Sequence, residues 1–221
     1  MDFEAARIKM VDNQIRTTDV TSHAVLAAFL AVPREDFVPV AKKPLAYIDT
    51  DIELSVEGVS GKRYLMEPSP LAKLLQLASI SKQDKVLEVG AGTGYASAVL
   101  SMLASSVVAL ESEPALAQEA TATLNRLGYS NVSVVTGDLE KAHAAAAPYN
   151  AIFVHGSVET VPQALLAQLS DGGRLVAVVG AGNASRARLF LNENGRISER
   201  PAFNTAVKPL PGFRLAREFV F

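Results

Sequence analysis

The 221 residues suffice for one α/β domain with an appendage and a sizeable core, and a formal net charge of −2 without runs of like charge argues against a nucleic-acid surface. The absence of cysteine excludes disulfides, thiolate metal sites and a cysteine nucleophile, and three scattered histidines (His23, His143 and His155) predict no metal site. No apolar run reaches the ~18 residues of a membrane span, and the N-terminus lacks the basic-then-apolar order of a signal peptide, so a cytoplasmic chain with no membrane partner is expected.

In chain order, Asp2 to Ile15 has helical spacing in Phe3, Ala6, Ile8, Met10 and Val11. Thr21 or Ser22 can cap a second helix through Leu26, Phe29 and Leu30, which Pro33 stops. Arg34 to Ala46 is rich in turn signals, and Asp49 to Ser60 alternates weakly, as a short strand or extended arm would. Pro68 and Pro70 open a helix carrying Leu71, Leu74, Leu75 and Leu77. Residues 1–80 therefore read as a helical cap with a lip segment, and residues 81–221 as the main domain.

From Lys85 the pattern alternates strand and helix, which predicts a mostly parallel sheet. Strands are expected at Val86–Val89, Val107–Leu110, Asn131–Thr136, Asn150–Val154 and Arg174–Val179. Helices are expected after Gly94, over Glu113–Leu127, and over Val161–Leu169 before Asp171-Gly172-Gly173. Asn194-Gly195 between two apolar runs signals a type I′ hairpin, and Phe213 to Phe221 reads as a last strand.

The chemistry concentrates at Lys85 to Tyr95, K-V-L-E-V-G-A-G-T-G-Y. A buried strand runs into Gly90, Gly92 and Gly94, and then a helix begins. This geometry brings backbone N–H groups up to a polar or anionic ligand. Tyr95 stands where a dinucleotide fingerprint needs its third glycine, so a nicotinamide dehydrogenase is disfavoured. A second acid, Glu111, ends the next strand about 20 residues after the first glycine, placed to accept both hydroxyls of a ribose. Gly137-Asp138 follows the third strand, where Asp138 is either an adenine contact or a helix N-cap.

The segment E-x-G-x-G-x-G resembles the first motif of the class I S-adenosylmethionine methyltransferases. Further blocks narrow the likeness: M-V-D-N-Q-I-R at Met10–Arg16, V-P-R-E-D-F-V-P at Val32–Pro39, Ala46-Tyr47, L-G-Y-S-N-V at Leu127–Val132, P-Q-A-L-L at Pro162–Leu166 and D-G-G-R-L at Asp171–Leu175. In this order they resemble the protein-L-isoaspartate O-methyltransferases, from Met10 to about Val179. The resemblance implies an α/β, Rossmann-like fold with helices on both faces of the sheet and an N-terminal helical cap. It further implies S-adenosyl-L-methionine as cofactor, and methyl transfer to the free carboxylate of an isoaspartyl residue in a damaged protein or peptide.

The implied cofactor set is Leu65, Glu88, Gly90, Ala91, Gly92, Gly94, Tyr95, Glu111, Ser112, Asp138 and Leu139, with Glu88 near the cofactor's amino group. The family carries T-I-S-[A/Q]-P ahead of the helix before the glycines, and its serine is the active-site residue. Here the stretch reads Tyr64-Leu65-Met66-Glu67-Pro68, so Met66 stands at the serine, and Met66, Tyr64 and His155 become the catalytic-site candidates. Methionine has no hydroxyl with which to hold a carboxylate. Lys62 and Arg63 beside this lip could steer an anionic substrate. Two alternatives stand beside the repair reading: a methyltransferase for another acceptor, including a small molecule, and a non-catalytic cofactor-binding interaction module. The sequence leaves monomer and dimer equally open.

Overall fold

The computed structural model describes residues 1–54 and 62–213. Asp2 caps α1 (Phe3–Met10) by accepting from the Ala5 N–H at 3.0 Å. The predicted Asp2–Ile15 helix is continuous but changes pitch, passing into a π turn at Val11–Ile15 and a 3-10 turn at Arg16–Thr18. Ser22 caps α2 (His23–Ala31), which ends before Pro33 as expected. Turns lead to β1 (Ile52–Leu54), antiparallel to β2 (Arg63–Leu65), and then to α3 (Pro68–Ala78). Of the weakly alternating stretch, residues 55–61 lie outside the described residues.

The main sheet follows: β3 (Lys85–Val89), α4 (Tyr95–Ser101), β4 (Ser106–Glu111), α5 (Pro114–Arg126), β5 (Val132–Thr136), β6 (Tyr149–Val158), α6 (Gln163–Leu166), β7 (Leu169–Val179), β8 (Arg186–Glu193) and β9 (Arg196–Asn204). Strand order is β5-β4-β3-β6-β7-β8-β9, parallel from β5 to β7 and antiparallel at β8 and β9. The chain leaves β3 outward to β4 and β5, then returns on the other side as β6. The carboxyl ends of β3 and β6 therefore flank the reversal of winding, where open α/β sheets bind ligands.

Alternation sorts the strand residues between two cores. Val86, Ala151 and Phe153 join Met10, Phe29, Leu71 and Tyr95 on the cap side, while Leu87, Val89, Ile152 and Val154 pack with Leu110, Tyr149 and Leu165 on the other. Glu88 shares the cap-side face with Val86, and His155 shares it with Phe153, its neighbour two places back along β6.

Three elements differ from expectation. The helix predicted over Val161–Leu169 shortens to α6, because Leu169 already pairs with Tyr149. Gly172-Gly173 lies inside β7 at a shift of register instead of ending a helix. β6 runs on beyond Val154, carrying His155 and Gly156 into the sheet. The hairpin matches its signal, with Asn194 at φ 53° and Gly195 at φ 77° between β8 and β9. Among the described residues β9 is the edge strand of the sheet, largely exposed, with an irregularity of register beside Pro201. The strand expected at Phe213 to Phe221 lies, beyond Phe213 itself, outside the described residues.

Arg174 ties α3 to the sheet by donating to the carbonyls of Ala78, Ser79 and Asn150 and to Asp84. Burial opposes ionisation of Asp84, but the Arg174 guanidinium and the Ser81 N–H outweigh it and lower its pKa. A depressed folded-state pKa gives stability that is present above the ordinary carboxylate value of about 3.9 and is lost as pH falls through the lowered one. Asp84→Asn should therefore destabilise the protein at pH 7 and flatten the acid limb of its stability profile; denaturant midpoints measured from pH 7 down to pH 2 test this.

Candidate functional site

Gly94 opens α4 at φ 93°, and a Cβ there would lie 3.1 Å from Leu124 Cδ1 and 3.2 Å from Ala120 Cβ on α5. A side chain would both strain the backbone and push the helices apart. The preceding turn is held by the Gly90 and Ala91 N–H groups, which donate to the Leu110 carbonyl at 2.9 and 3.1 Å. This loop is thus fixed to the end of β4, and that places Glu111 beside it.

Glu111 is fully buried. Its Oε2 accepts from the Gly92 N–H at 2.6 Å, and its Oε1 from the Ser112 and Glu113 N–H groups at 2.8 and 3.1 Å. Arg63 completes the set from β2, with Nη1 2.7 Å from Oε1 and Nη2 2.6 Å from Oε2. The guanidinium is 4% exposed, so this is a buried, bidentate ion pair. Arg63 therefore faces inward onto the cradle, contrary to the expectation that it steers substrate at the lip. Lys62 does face solvent, paired with Glu53 at 3.2 Å.

Glu88, also fully buried, accepts from Ser97 Oγ at 2.5 Å and lies 3.0 Å from His155 Nδ1. An ionised carboxylate only accepts, so opposite one Nδ1 is assigned as the donor of this contact. His155 is thereby brought to the acid the sequence singled out, and its Nε2 is buried without a hydrogen-bond partner among the described residues.

The remaining expected residues divide by location. Ala91, Leu65 and Met66 are buried at the cradle and lip, and the Tyr64 ring carries Lys208 Nζ 5.4 Å from its centroid. The Tyr95 ring points away into the cap core, edge-on to Phe29 and Phe37 at 6.2 and 5.7 Å, and burial pushes its phenol up to about 12. Asp138 is exposed beyond β5, where it accepts from the Glu140 N–H at 3.1 Å and pairs with Lys141 at 3.0 Å. The hydrogen bond from Lys141 holds its carboxyl below the ordinary range. Leu139 next to it is buried.

Sequence reasoning missed Arg34. Its side chain is wholly buried, donates to the carbonyls of Ala46 and Met66 at 2.7 and 2.8 Å, and lies 4.7 Å over the Tyr95 ring. One side chain thus links the cap, the lip and the glycine segment. The signal was the V-P-R-E-D-F-V-P block, which located the arginine without revealing its partners.

By residue type, the acids at the carboxyl ends of β3 and β4 and Asp138 beyond β5 are acceptors of the kind an S-adenosylmethionine site needs. Each of them, like the N–H groups of Gly90, Ala91 and Gly92, is already hydrogen-bonded within this chain. The space over the glycine turn is taken by this chain's own side chains. A Cβ on Gly90 would lie 2.6 Å from Leu210 Cδ1 and 3.4 Å from Arg63 Nη2. The hollow among Arg63, Tyr64, Met66, His155 and Leu210 measures about 10 Å³, room for roughly one water. A hollow of about 860 Å³ between Asp51, Val158, Gly180 and Lys208 is lined by none of Glu88, Gly90 or Glu111.

Residues 5–211 match the family model described as Protein-L-isoaspartate(D-aspartate) O-methyltransferase. A protein-L-isoaspartate O-methyltransferase of Koribacter versatilis is 36% identical over 95% of this chain and 92% of its own length. One from Rhodopseudomonas palustris is 41% identical over 84% of this chain and 83% of its own. Among solved structures, a protein-L-isoaspartate O-methyltransferase superposes with a TM-score of 0.80 at 28% identity, covering 93% of this chain and 66% of that one. A Plasmodium falciparum protein described as such an enzyme, in complex with S-adenosyl-L-homocysteine, gives a TM-score of 0.76 at 17% identity over 95% of this chain and 98% of that one, a likeness of fold.

Proposed function

The chain belongs to the protein-L-isoaspartate(D-aspartate) O-methyltransferase family, and from that premise we propose that it is an S-adenosyl-L-methionine-dependent O-methyltransferase acting on isoaspartyl carboxylates of proteins or peptides. The observation that carries this reading is the pair of buried acids, Glu88 and Glu111, on adjacent strand ends around the glycine turn.

In this reading Glu88 takes the cofactor's amino group, Glu111 the ribose hydroxyls, and Asp138 with the Leu139 backbone the adenine. Gly90, Ala91, Gly92, Gly94, Ser112 and the Tyr95 backbone shape the floor, and Leu65 packs from the lip. When bound, the cofactor supplies an electrophilic methyl group. A carboxylate acceptor is ionised near neutral pH, so the chain need only hold it and exclude water. Residues 1–80 serve as the cap and lip that face this acceptor. Met66 at the family's serine position and Tyr64 mark a divergent lip, with His155 beside it. No described helix is long and apolar enough to cross a membrane.

The lip also favours a second reading. Met66 offers no hydroxyl, and the hollow beside it, about 10 Å³, has room for roughly one water and not for a carboxylate side chain, as in a cofactor-binding module that does not catalyse. Transfer of labelled methyl from S-adenosylmethionine to an isoaspartyl peptide, with its aspartyl twin as control, separates the two. Label on the isoaspartyl peptide alone is the expected result. No label on either peptide, from a preparation that binds the cofactor, would overturn the repair assignment.

A further inference from the structure

We propose that Arg63 and Leu210 are internal occupants of the cofactor site, so that cofactor affinity is set by competition with this chain's own side chains. The inference rests on the cofactor reading above and goes beyond it by identifying the residues that limit binding.

The argument begins at Glu111. Its two oxygens already accept three backbone N–H groups, from Gly92, Ser112 and Glu113, and the Ser112 hydroxyl at 3.3 Å, and Arg63 adds two more donors. A ribose diol presents two hydroxyl donors to a carboxylate in the same bidentate manner as a guanidinium. The two therefore exclude each other: hydroxyls reach Glu111 only where Arg63 has left it.

Leu210 fills the adjoining volume. A ligand needs the Gly90 turn bare of a Cβ to come close, yet Leu210 Cδ1 already lies where that approach would occur, 2.6 Å from an ideal Cβ. Its position is not incidental. The Leu210 N–H donates to the Ser157 carbonyl at 2.8 Å, the Ser157 N–H donates to the Lys208 carbonyl at 3.0 Å, and Pro209 bridges to Ser157. Residues 208–210 are thus held against Ser157 of β6 by two backbone hydrogen bonds and an isolated parallel bridge, which aims Leu210 over the glycines. Arg63 is likewise placed by the pairing of β2 with β1. The occupants come from segments 147 residues apart and converge on one cradle, and the pair they block is the ribose acid and the glycine turn.

Calorimetric titration of the full chain with S-adenosylhomocysteine, and separately with adenosine, tests the competition. Arg63→Met removes the competing donors while keeping an apolar stem, and Leu210→Ala clears the turn without leaving a charge unpaired. Arg63→Met should bind both ligands at least tenfold more tightly than the unsubstituted chain. Leu210→Ala should tighten S-adenosylhomocysteine more than adenosine, and each ligand should raise the melting temperature of the variants more than that of the parent. If Arg63→Met does not fold, Leu210→Ala and Arg63→Gln decide the matter by the same readout. Parent and variants binding equally, or variants binding more weakly, overturns the competition and leaves the cofactor assignment standing. Binding by none of them overturns both.

Discussion

Arg34→Ala is expected to lower stability by about 3–5 kcal/mol, from a cavity of aromatic-truncation size together with two buried carbonyls left without donors. The change would strand the Ala46 and Met66 carbonyls and remove the cation from the Tyr95 ring. Burial lowers the pKa of Arg34, since its charge sits without a carboxylate partner among the hydrogen bonds described. Arg34→Met separates the two contributions: it fills the space but donates nothing, and should recover part of the loss. Chemical denaturation of the three proteins gives the answer, and a parent-like midpoint for Arg34→Ala would show that cap and lip do not depend on this link.

Glu111→Ala should be comparably severe for a different reason. Removing one partner of a buried ion pair leaves the other charge in low dielectric, at a cost of about 3–5 kcal/mol, whereas replacing both by apolar groups is far better tolerated. At 4% exposure the Arg63 guanidinium has no route to solvent without a change of rotamer. The double substitution Arg63→Met with Glu111→Ala should therefore be more stable than Glu111→Ala alone, although it contains one change more. A double variant less stable than the single one would show that Arg63 escapes to water when its partner is lost. Neither protein carrying Glu111→Ala should retain affinity for a ribose-bearing ligand.

The sequence made legible what depends on near neighbours. Val86 to Gly94 announces a buried strand and a turn because alternation and glycine act within a few residues, and Glu111 follows because β4 must begin after α4 and end level with β3. Glu88 was legible for the same reason, as an acid inside an apolar strand has few uses other than a site. Arg63 was misjudged because its partner is 48 residues away and its neighbour Lys62, of the same charge type, does point to solvent. Leu210 gave no signal: one leucine beside two prolines acquires its meaning only where residues 208–210 meet β6. The shortened α6 turned on Leu169, whose pairing with Tyr149 outweighed a local glycine signal that reads as a helix end. His155 was noticed as a lone histidine, but its contact with Glu88 required the register that sets Glu88 beside Phe153.

The outer margin of the sheet bears on how these molecules behave at high concentration. β9 exposes Arg196, Glu199 and Arg200, and Pro201 removes one donor from the ladder where the register with β8 slips. An open edge of unpaired donors and acceptors would template a strand from another molecule, but charge, a missing N–H and an irregular register each spoil that template. Among the described residues, these features of β9 disfavour growth of the sheet from one molecule to the next.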